Sequence, residues 1–454
     1  MSNNENQKFK NKDEDGSAIV ITGIGIISPA ADSIAATLET LKNKKSAIKK
    51  LEKNDYGTMP VGYGGEIAAE YISKYKLDPI KFKGFQSYIH CGVIAARNAL
   101  CDAGLFDASG RGSWIYGEYE ETMRGAFVSS GVNGNNAEAL FEAFSVSGDS
   151  GGGLDIARFA STGAGFIHPK WILTALSNNL IFFITSEFGL KGDNNNTAFS
   201  AAGGAYMLAA AERAIREGAC DMAVVCGADS IVNWQAVDEL VKLGILNDKH
   251  EGGAAVSMPA YTAGALGALP SEGAAALVLE RKKTAAGRGA RIYAEISGCA
   301  QYCEGTGGAP SGGAEGFVKV FEALHRSAKL TENDNILLNL NAASISGWDN
   351  AELKGLEILS EKYPETFGKN IKLTGLKPYF GHTFSASFVM ETAVAAAALE
   401  SGLAYGLPHE TGAPAGLNRL FENDFGGGKS DKSMVITACI GGNYAGVALE
   451  KLQA

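Results

Sequence analysis

The sequence predicts an α/β protein made of two similar halves, and three observations support this prediction. Patterns typical of buried strands alternate with helical patterns, and the alternation begins again after a basic turn at residues 281–288. Such alternation is typical of α/β folds with mostly parallel sheets. The 454 residues, 46% of them hydrophobic, are enough for one large core or two fused domains. No internal sequence repeat is strong enough to prove a duplication.

The predicted N-terminal half covers residues 18–287. It opens with a β-branched apolar run at residues 18–28 that ends in glycines, as a buried strand does. Further strands are predicted at residues 126–131, 221–229 and 274–280, and helices at 33–43, 85–103, 171–187 and 202–217. The helix at 171–187 has few charges, so we expect it to be buried, for instance against a second subunit. Residues 106–124 are predicted as a surface excursion, and residues 146–165 and 252–269 as Gly-rich loops.

The predicted C-terminal half covers residues 288–454. Strands are expected at residues 292–298 and 336–340, with a final strand at 434–439, and helices at 314–328, 352–362 and 390–400. The first 17 residues are polar and charged. They resemble neither a signal peptide nor a strand, so residues 1–17 are predicted to be a disordered tail.

Charge and hydropathy exclude two classes of partner. The formal net charge is -10 and the pI is about 5.3, and no basic stripe alternates with aromatic residues. We therefore expect no nucleic-acid binding. No apolar run reaches the roughly 18 residues that a membrane-spanning helix needs.

The cysteines indicate a reducing compartment. There are seven, an odd number, and most lie in apolar segments. This pattern favours a cytoplasmic protein over a disulfide framework. Cys299 and Cys303 are too widely spaced for a CxxC pair, so no zinc site and no other metal site is predicted.

Residues 197–229 carry the most informative motif. They resemble the nucleophile segment of β-ketoacyl-carrier-protein synthases, which has a Thr-Ala-Cys turn, an Ala-rich helix ending at Gly-x-x-Asp, and a strand ending Gly-Gly-Ala-Glu. Counting back without a gap from Gly218, Asp221 and Ala228 places the family's cysteine at Ala201. Aligning the Thr-Ala pair directly would place it at Phe199, but this needs a two-residue insertion in the helix. Neither position supplies a thiol.

Other motifs of the same family follow in the same order. Residues 271–274 resemble Gly-Glu-Gly-Ala, and residues 377–382 resemble Lys-Ser-x-x-Gly-His, with both Lys377 and His382 present. Residues 440–443, beginning at Ile440, resemble the closing Phe-Gly-Gly-Thr turn. The resemblance covers nearly the whole chain from residue 18. It implies a thiolase-like fold, with two βαβαβ-type halves packed in α-β-α-β-α layers, and no cofactor.

The family's first catalytic histidine is also missing. In the family it precedes, by eight residues, an Asp at the start of a helix. Counting back from Asp349 places Asn341 at the histidine position, and the adjoining Thr-x-Thr pattern is absent. Asn341 is interpreted as a hydrogen-bonded loop residue. His382 and Lys377 are either a relic held by packing or a surviving enolate-binding pair.

These losses bear directly on the family's reaction. Claisen condensation requires a thiolate at a helix N-terminus, whose pKa the helix dipole lowers, and two polar groups that stabilise an enolate. A methyl group at Ala201 cannot form an acyl-enzyme. Asn341 donates hydrogen bonds but is not an acid or base near neutral pH. We therefore predict no independent condensing activity.

Within the family this pattern resembles the chain-length factor. That subunit lacks the cysteine, forms a heterodimer with an active ketosynthase, and helps to shape the tunnel for the growing chain in polyketide and aryl-polyene systems. The resemblance implies a cytoplasmic protein that meets the acyl carrier protein mainly through its partner, because an acidic surface disfavours direct docking of an acidic carrier. Glutamine is common at the cysteine position in aromatic polyketide members. Alanine here indicates another branch, such as a polyene type.

By the same resemblance, two residues at the start of the helix at 171–187 are expected near the subunit interface and acyl tunnel: His168 and Trp171. Phe182 and Phe183 either end that tunnel or pack in the core. Phe199 and Ile440 are also tunnel or interface candidates.

Two alternative functions remain. A malonyl-carrier-protein decarboxylase would use Asn341 and His382 to stabilise an enolate. An engineered Cys→Ala variant of an active enzyme would keep the first histidine, so Asn341 argues against it.

Overall fold

The computed structural model describes residues 18–52, 59–109, 112–117, 119–131, 138–174, 176–249, 258–306, 313–421 and 429–452. The tail predicted at residues 1–17, and residues 252–257 of the loop predicted at 252–269, lie outside these ranges.

The strands, in chain order, are β1 (Ile19–Ile27), β2 (Lys49–Lys50), β3 (Tyr63–Gly64), β4 (Phe106–Asp107), β5 (Ser113–Trp114), β6 (Arg124–Ser130), β7 (Asn194–Thr197), β8 (Met222–Ser230), β9 (Glu272–Arg281), β10 (Ala294–Cys303), β11 (Ile336–Asn339), β12 (Ile371–Thr374), β13 (Lys432–Cys439) and β14 (Asn443–Glu450).

The α-helices are α1 (Ile34–Lys42), α2 (Ala69–Ser73), α3 (Ser87–Asp102), α4 (Glu138–Ser145), α5 (Ile156–Ser161), α6 (Trp171–Thr174), α7 (Asn179–Phe188), α8 (Gly203–Glu217), α9 (Trp234–Lys242), α10 (Lys282–Gly287), α11 (Glu315–Ser327), α12 (Ser346–Lys362), α13 (Lys377–Phe380), α14 (Ser387–Ser401) and α15 (Ala415–Asn418). Short 3₁₀ turns occur at Glu121–Met123, Gly163–Phe166 and Phe384–Ala386, and a π turn at Thr366–Asn370.

Ten of the strands form one continuous sheet in the order β12-β11-β13-β14-β10-β1-β9-β8-β6-β7. The two halves of the sheet have the same topology. From the central β1–β10 pair outward, each half uses its own first, fifth, fourth, second and third strand, with the same sequence of antiparallel and parallel pairings. The fold therefore repeats itself, although the sequence repeat is too weak to show it.

The buried side chains form three clusters, and alternate residues of one strand belong to different clusters. In β8, Ala223 and Val225 belong to a central cluster with α8 and α14, whereas Val224 and Cys226 belong to a cluster with α3 and α7. Successive strand residues point to opposite faces of a sheet. In β11, Leu337 likewise faces the central cluster, and its neighbours face a third cluster that contains residues of α11 and α12. Each half of the sheet thus has one face against the central cluster and the other face against an outer cluster. The layers are therefore α-β-α-β-α, as expected.

The prediction of mostly parallel sheets was wrong. In the first half β6 pairs parallel with β7 and β8, but β9 pairs antiparallel with both β8 and β1. The second half shows the same mixture. One cause is visible at residues 440–442, where a three-residue connection joins β13 to β14. Such a short connection allows only an antiparallel pair. The strand predicted at 434–439 was therefore not the final strand, because β14 follows it.

The helix predicted at residues 171–187 is two helices, α6 and α7. Asn179 Nδ2 donates to the carbonyl of Leu173 at 2.6 Å, and Ser130 Oγ donates to the carbonyl of Ser177. Asn competes for backbone groups and so favours helix ends over helix interiors. The loop predicted at 146–165 likewise contains α5, whose N-terminal Arg158 amide is capped by Asp155 Oδ1 at 3.0 Å. Among the described helices, none is long and apolar enough to cross a membrane.

Candidate functional site

The candidate site lies where segments of both halves meet beside α8 and α14. The turn before α8 follows β7, and the loops after β11, β12 and β13 come from the other half. Ser385 joins the two halves, because its Oγ donates to the carbonyl of Phe199 at 2.9 Å and its amide donates to Asp229 Oδ2 at 3.1 Å. Ligand sites of α/β proteins commonly lie at such strand ends.

Ala201 lies in the turn between β7 and α8 and has no exposed surface. The turn is closed by a hydrogen bond from the amide of Gly203 to the carbonyl of Ser200 at 2.9 Å. A side chain at Gly203 would come within 2.5 Å of Ser129 Oγ, so only glycine lets the helix begin so close to β6. The position next to this helix N-terminus therefore presents a methyl group.

Phe199 lies two residues before Ala201 and is half-buried. Its ring packs edge-on against Tyr206, with centroids 5.9 Å apart. Neither position carries a group that can become a nucleophile.

Lys377 is buried at the start of α13 and uses all three ammonium hydrogens. Its Nζ donates to Glu391 Oε1 at 2.6 Å, to Asn341 Oδ1 at 2.9 Å and to the carbonyl of Asn341 at 3.1 Å. The side chains of Lys377 and Glu391 are 2% and 1% exposed. Burial raises the pKa of Glu391, and the charge of Lys377 opposes that rise.

These contacts fix the orientation of the Asn341 carboxamide. Its Oδ1 accepts from Lys377 and, at 3.2 Å, from Thr437 Oγ1 in β13. The Nδ2 group is therefore turned away from Lys377, and no described residue accepts from it.

His382 is a neutral imidazole whose free nitrogen is a donor. Burial, and secondarily the charge of Lys377, hold its pKa well below the usual 6.5. The amide of Phe384 donates to His382 Nδ1 at 3.0 Å, so the ring proton is on Nε2. Among the described residues, Nε2 has no acceptor.

The site thus retains two N–H donors, Asn341 Nδ2 and His382 Nε2, that no described group satisfies. Leaving a buried donor unpaired costs about 1–3 kcal/mol. The two donors are suited to an acceptor such as a carbonyl oxygen. Both atoms are sealed from solvent in this conformation, so a substrate reaches them only if neighbouring groups move.

The loop after β11, which carries Asn341, is held by buried acids of α12. Glu352 accepts from the amide of Asn341 at 2.8 Å and from that of Ala342 at 3.1 Å. Ala342 and Ser344 have φ angles of +44° and +59°, which side-chain-bearing residues rarely adopt. The carboxylate contacts therefore stabilise a strained backbone.

We expect these acids to make the free energy of unfolding depend on pH. Burial raises the pKa of Asp349 and of Glu352 to about 7, from ordinary values of 3.8 and 4.5. The folded chain then holds these protons more tightly than the unfolded chain, so stability falls as pH rises from about 5 to about 7. Urea unfolding of wild type and of Asp349→Asn/Glu352→Gln measures this: the wild type should lose of the order of 1–3 kcal/mol more over this range. Equal changes in the free energy of unfolding of the two proteins over this range would contradict this expectation.

Four of the predicted tunnel and interface residues lie outside the cluster formed by Ala201, Asn341, Lys377 and His382. His168 is exposed, and its Nδ1 accepts from the amide of Lys170 at 3.1 Å. Trp171 is half-buried, whereas Phe182 is 57% exposed. Phe183 is 1% exposed and stacks on Phe82 at 4.5 Å, so it packs in the core beside α3.

Ile440 is half-buried in the turn between β13 and β14, where its carbonyl accepts from Asn443 Nδ2 at 3.1 Å. Tyr206 OH donates to Asn443 Oδ1 at 3.4 Å, and this bond links the turn to α8. The ring of Tyr206 also contacts Phe199. Ile440 and Phe199 are therefore neighbours of the same Tyr206–Asn443 pair.

Sequence reasoning missed the supporting acids Glu391, Glu352 and Asp229. Glu391 had a visible signal, since it is the one charged residue in the apolar run at residues 383–399. A charge in such a helix is rarely buried unless it is paired, which pointed to a buried cation such as Lys377. Within the described ranges, no group of three His, Cys, Asp or Glu side chains is placed to hold a metal ion.

Two family models match the chain along most of its length. The beta-ketoacyl synthase N-terminal domain matches residues 16–285, and the beta-ketoacyl synthase C-terminal domain matches residues 293–409. The chain belongs to the beta-ketoacyl synthase family. The first match contains the five strands of the first half of the sheet, and the second match ends before β13 and β14.

Curated relatives of this ketosynthase-family chain are distant. The chloroplastic 3-oxoacyl-acyl-carrier-protein synthase I of Arabidopsis thaliana is 24% identical over 385 residues, which cover 85% of this chain and 76% of the relative. The 3-oxoacyl-acyl-carrier-protein synthase 2 of Staphylococcus aureus is 24% identical over 393 residues, covering 84% and 85%.

Solved structures support the ketosynthase fold. The type II polyketide ketosynthase AntDE, solved in complex with its acyl-carrier protein AntF, has a TM-score of 0.79 at 16% identity, covering 96% of this chain and 99% of that one. The ishigamide ketosynthase/chain length factor has a TM-score of 0.75 at 18% identity, covering 96% and 99%. A beta-ketoacyl synthase from Burkholderia phymatum has a TM-score of 0.76 at 19% identity, covering 96% and 100%.

Proposed function

We propose that this ketosynthase-family chain is a chain-length-factor-like subunit. It pairs with a separate active ketosynthase and helps to shape the acyl tunnel during polyketide or polyene chain elongation. We assign the heterodimer to the cytoplasm, a reducing compartment in which the seven free cysteines remain thiols.

The observation that carries this proposal is the buried methyl group of Ala201 at the N-terminus of α8. A nucleophile at this position would gain from the helix dipole. In this chain nothing at that position can bind an acyl group covalently. Asn341 adds to the argument, because it replaces an ionisable imidazole by an amide that is held by Lys377.

The surface supports pairing with another subunit. At the β7 end of the sheet the strand is largely exposed, whereas β12 at the other end is mostly buried. A strand with unpaired backbone groups is a ready partner for a second chain. The segment leading to β7 also exposes large apolar side chains, which mark interaction sites when they are concentrated. They are Phe141, Phe144, Leu154, Ile156, Phe166, Leu173, Leu176 and Phe182.

Co-purification tests the proposal. The tagged chain is co-expressed with a ketosynthase that has an intact Cys-His-His set, and the complex is sized by multi-angle light scattering. We expect a one-to-one heterodimer. A stable homodimer that ignores this ketosynthase is incompatible with the proposal.

Decarboxylation of malonyl-carrier protein separates the proposal from a priming enzyme. Because Asn341 Nδ2 and His382 Nε2 are sealed from solvent, we expect the purified chain to release no more CO2 than its His382→Ala variant does. The assay follows labelled CO2 from malonyl-carrier protein. If the wild type releases CO2 and His382→Ala abolishes this release, the chain is a priming enzyme instead.

A further inference from the structure

One buried aromatic residue beside His382 has a strained backbone. Phe384 has no exposed surface, and its φ angle is +41°. Bulky residues rarely adopt this left-handed conformation, because it brings the β-carbon too close to a backbone carbonyl oxygen. Such strain persists only where the surrounding structure holds it, and it is concentrated at functional sites and switch regions. The conformation of Phe384 therefore points to a role in the site that it adjoins.

Phe384 contacts His382 in two ways. Its amide donates to His382 Nδ1 at 3.0 Å, and its ring lies over the imidazole, with centroids 4.2 Å apart and ring planes at 30°. The hydrogen bond selects the tautomer that carries its proton on Nε2. The ring covers one face of the imidazole. The strained residue thus both selects the donor and covers the group that carries it.

Phe384 also packs with the segment that carries the second donor. It belongs to the buried cluster that includes Leu340 and Ala342, the two neighbours of Asn341 in sequence. Neither Asn341 Nδ2 nor His382 Nε2 has an acceptor among the described residues, and both are sealed from solvent. We call these two N–H groups the two-donor site. Because a fixed core rarely leaves buried donors unpaired, the closed state of a site that opens explains them better.

The turn that begins at Phe384 is tied to the edge of the sheet. The residue after Phe384 in this 3₁₀ turn is Ser385, whose Oγ donates to the carbonyl of Phe199 at 2.9 Å. Phe199 follows β7 by two residues, and β7 is the largely exposed strand at one end of the sheet. A displacement of the segment after β7 would therefore act on the residue next to Phe384.

We propose that Phe384 is a gate that closes the two-donor site in the isolated chain and opens when the bond between Ser385 and Phe199 breaks. In the open state the backbone of Phe384 relaxes to a negative φ angle and its ring leaves His382. A subunit that pairs with β7 breaks this bond, and this part rests on the proposed function. Such a partner shifts the equilibrium because it binds the open state more tightly than the closed state.

Exchange of the His382 Nε2 proton with water measures whether the site is closed. The chain has six histidines, so isotope labelling of histidine gives few imidazole signals in NMR spectra, and loss of a signal in His382→Gln assigns it. The exposed His168 is the internal reference. We expect the His382 proton of the wild type to exchange at least about 100-fold more slowly than that of His168. Equal rates would overturn the proposal.

Two variants open the gate in different ways. Phe384→Ala removes the ring, whereas Ser385→Ala removes the bond to the segment after β7 and leaves the ring in the core, which keeps the test available if Phe384→Ala does not fold. We expect both to speed exchange of the His382 proton by at least about ten-fold. The matched control is Phe321→Ala, which removes a fully buried ring from the same cluster, outside the two-donor site.

The control variant should exchange the His382 proton within about two-fold of the wild-type rate. Exchange that is unchanged in Ser385→Ala or in a folded Phe384→Ala, or that rises equally in these variants and the control, would overturn the gate.

The order of stability at position 384 tests the strain separately. At an unstrained position glycine is less stabilising than alanine. At a φ angle of +41° the order should reverse, because alanine keeps the strain that glycine relieves. We therefore expect a higher urea midpoint for Phe384→Gly than for Phe384→Ala. A lower midpoint would show that this backbone is unstrained and would overturn the gate.

Addition of the partner ketosynthase separates the gate from the proposed function. We expect heterodimer formation to speed exchange of the His382 proton in the wild type by at least about ten-fold. If a heterodimer forms without this change, the proposed function stands and opening by a partner is overturned. If no ketosynthase binds, but Phe384→Ala and Ser385→Ala still speed the exchange, the proposed function fails and the gate stands.

Discussion

Replacing Lys377 by Met should lower the free energy of unfolding by about 3–5 kcal/mol, because it leaves the buried Glu391 carboxylate without its cation. It also removes the two hydrogen bonds that Lys377 Nζ donates to the carbonyl oxygen and the Oδ1 of Asn341. Chemical denaturation followed by tryptophan fluorescence measures the change. We expect Asn341 to lose its fixed orientation in the same variant.

A double variant and a surface control separate the ion pair from general damage. Lys377→Met/Glu391→Leu removes both charges and should recover most of the loss, since an apolar pair of similar volume is often neutral. Lys242→Met removes an exposed pair with Asp238 at 2.6 Å and should cost less than about 0.5 kcal/mol. A Lys377→Met variant as stable as Lys242→Met is incompatible with a buried ion pair at this site.

Placing charges on the apolar surface before β7 should prevent heterodimer formation. Leu173→Asp/Phe182→Asp introduces two carboxylates where side chains are 53% and 57% exposed in the single chain. An interface that buries them would leave each carboxylate unpaired, so we expect affinity for the ketosynthase to fall by at least about 100-fold. Analytical ultracentrifugation of the mixed subunits measures this loss.

Leu243→Asp is the matched control, because Leu243 is 56% exposed but follows α9, outside the apolar segment. It should pair with the ketosynthase as the wild type does. Thermal unfolding of the isolated chain should be similar for all three proteins, since the changed side chains are exposed. Normal pairing by Leu173→Asp/Phe182→Asp would place the interface elsewhere.

Long, strongly patterned elements of this fold were predictable from sequence. The runs that became β1, β8 and β9 are apolar and fully or almost fully buried, and α8 ends at Gly218 in the left-handed conformation that the Gly signalled. The edge strand β7 was not predictable, because its residues are Asn194, Asn195, Asn196 and Thr197. Asparagine disfavours strands, so only pairing with β6 makes this segment extended.

The motif residues of the candidate site were predictable from sequence, but the buried acids that hold them were not. Lys377 and His382 were found because they lie close together in one motif. Glu391 and Glu352 were not, because their partners are 14 and 11 residues away in sequence, on other elements. The protonation state of His382 also needed the structure, since it depends on burial and on the amide of Phe384.

Reconstituted chain elongation tests the central claim most directly. The chain, the ketosynthase with which it pairs, a carrier protein and malonyl substrate are combined, and the products are measured by mass spectrometry with each subunit omitted in turn. We predict full-length product only when both subunits are present, and none when the ketosynthase's own catalytic cysteine is replaced by alanine. Condensation by this chain alone, with a methyl group at Ala201, would contradict the account.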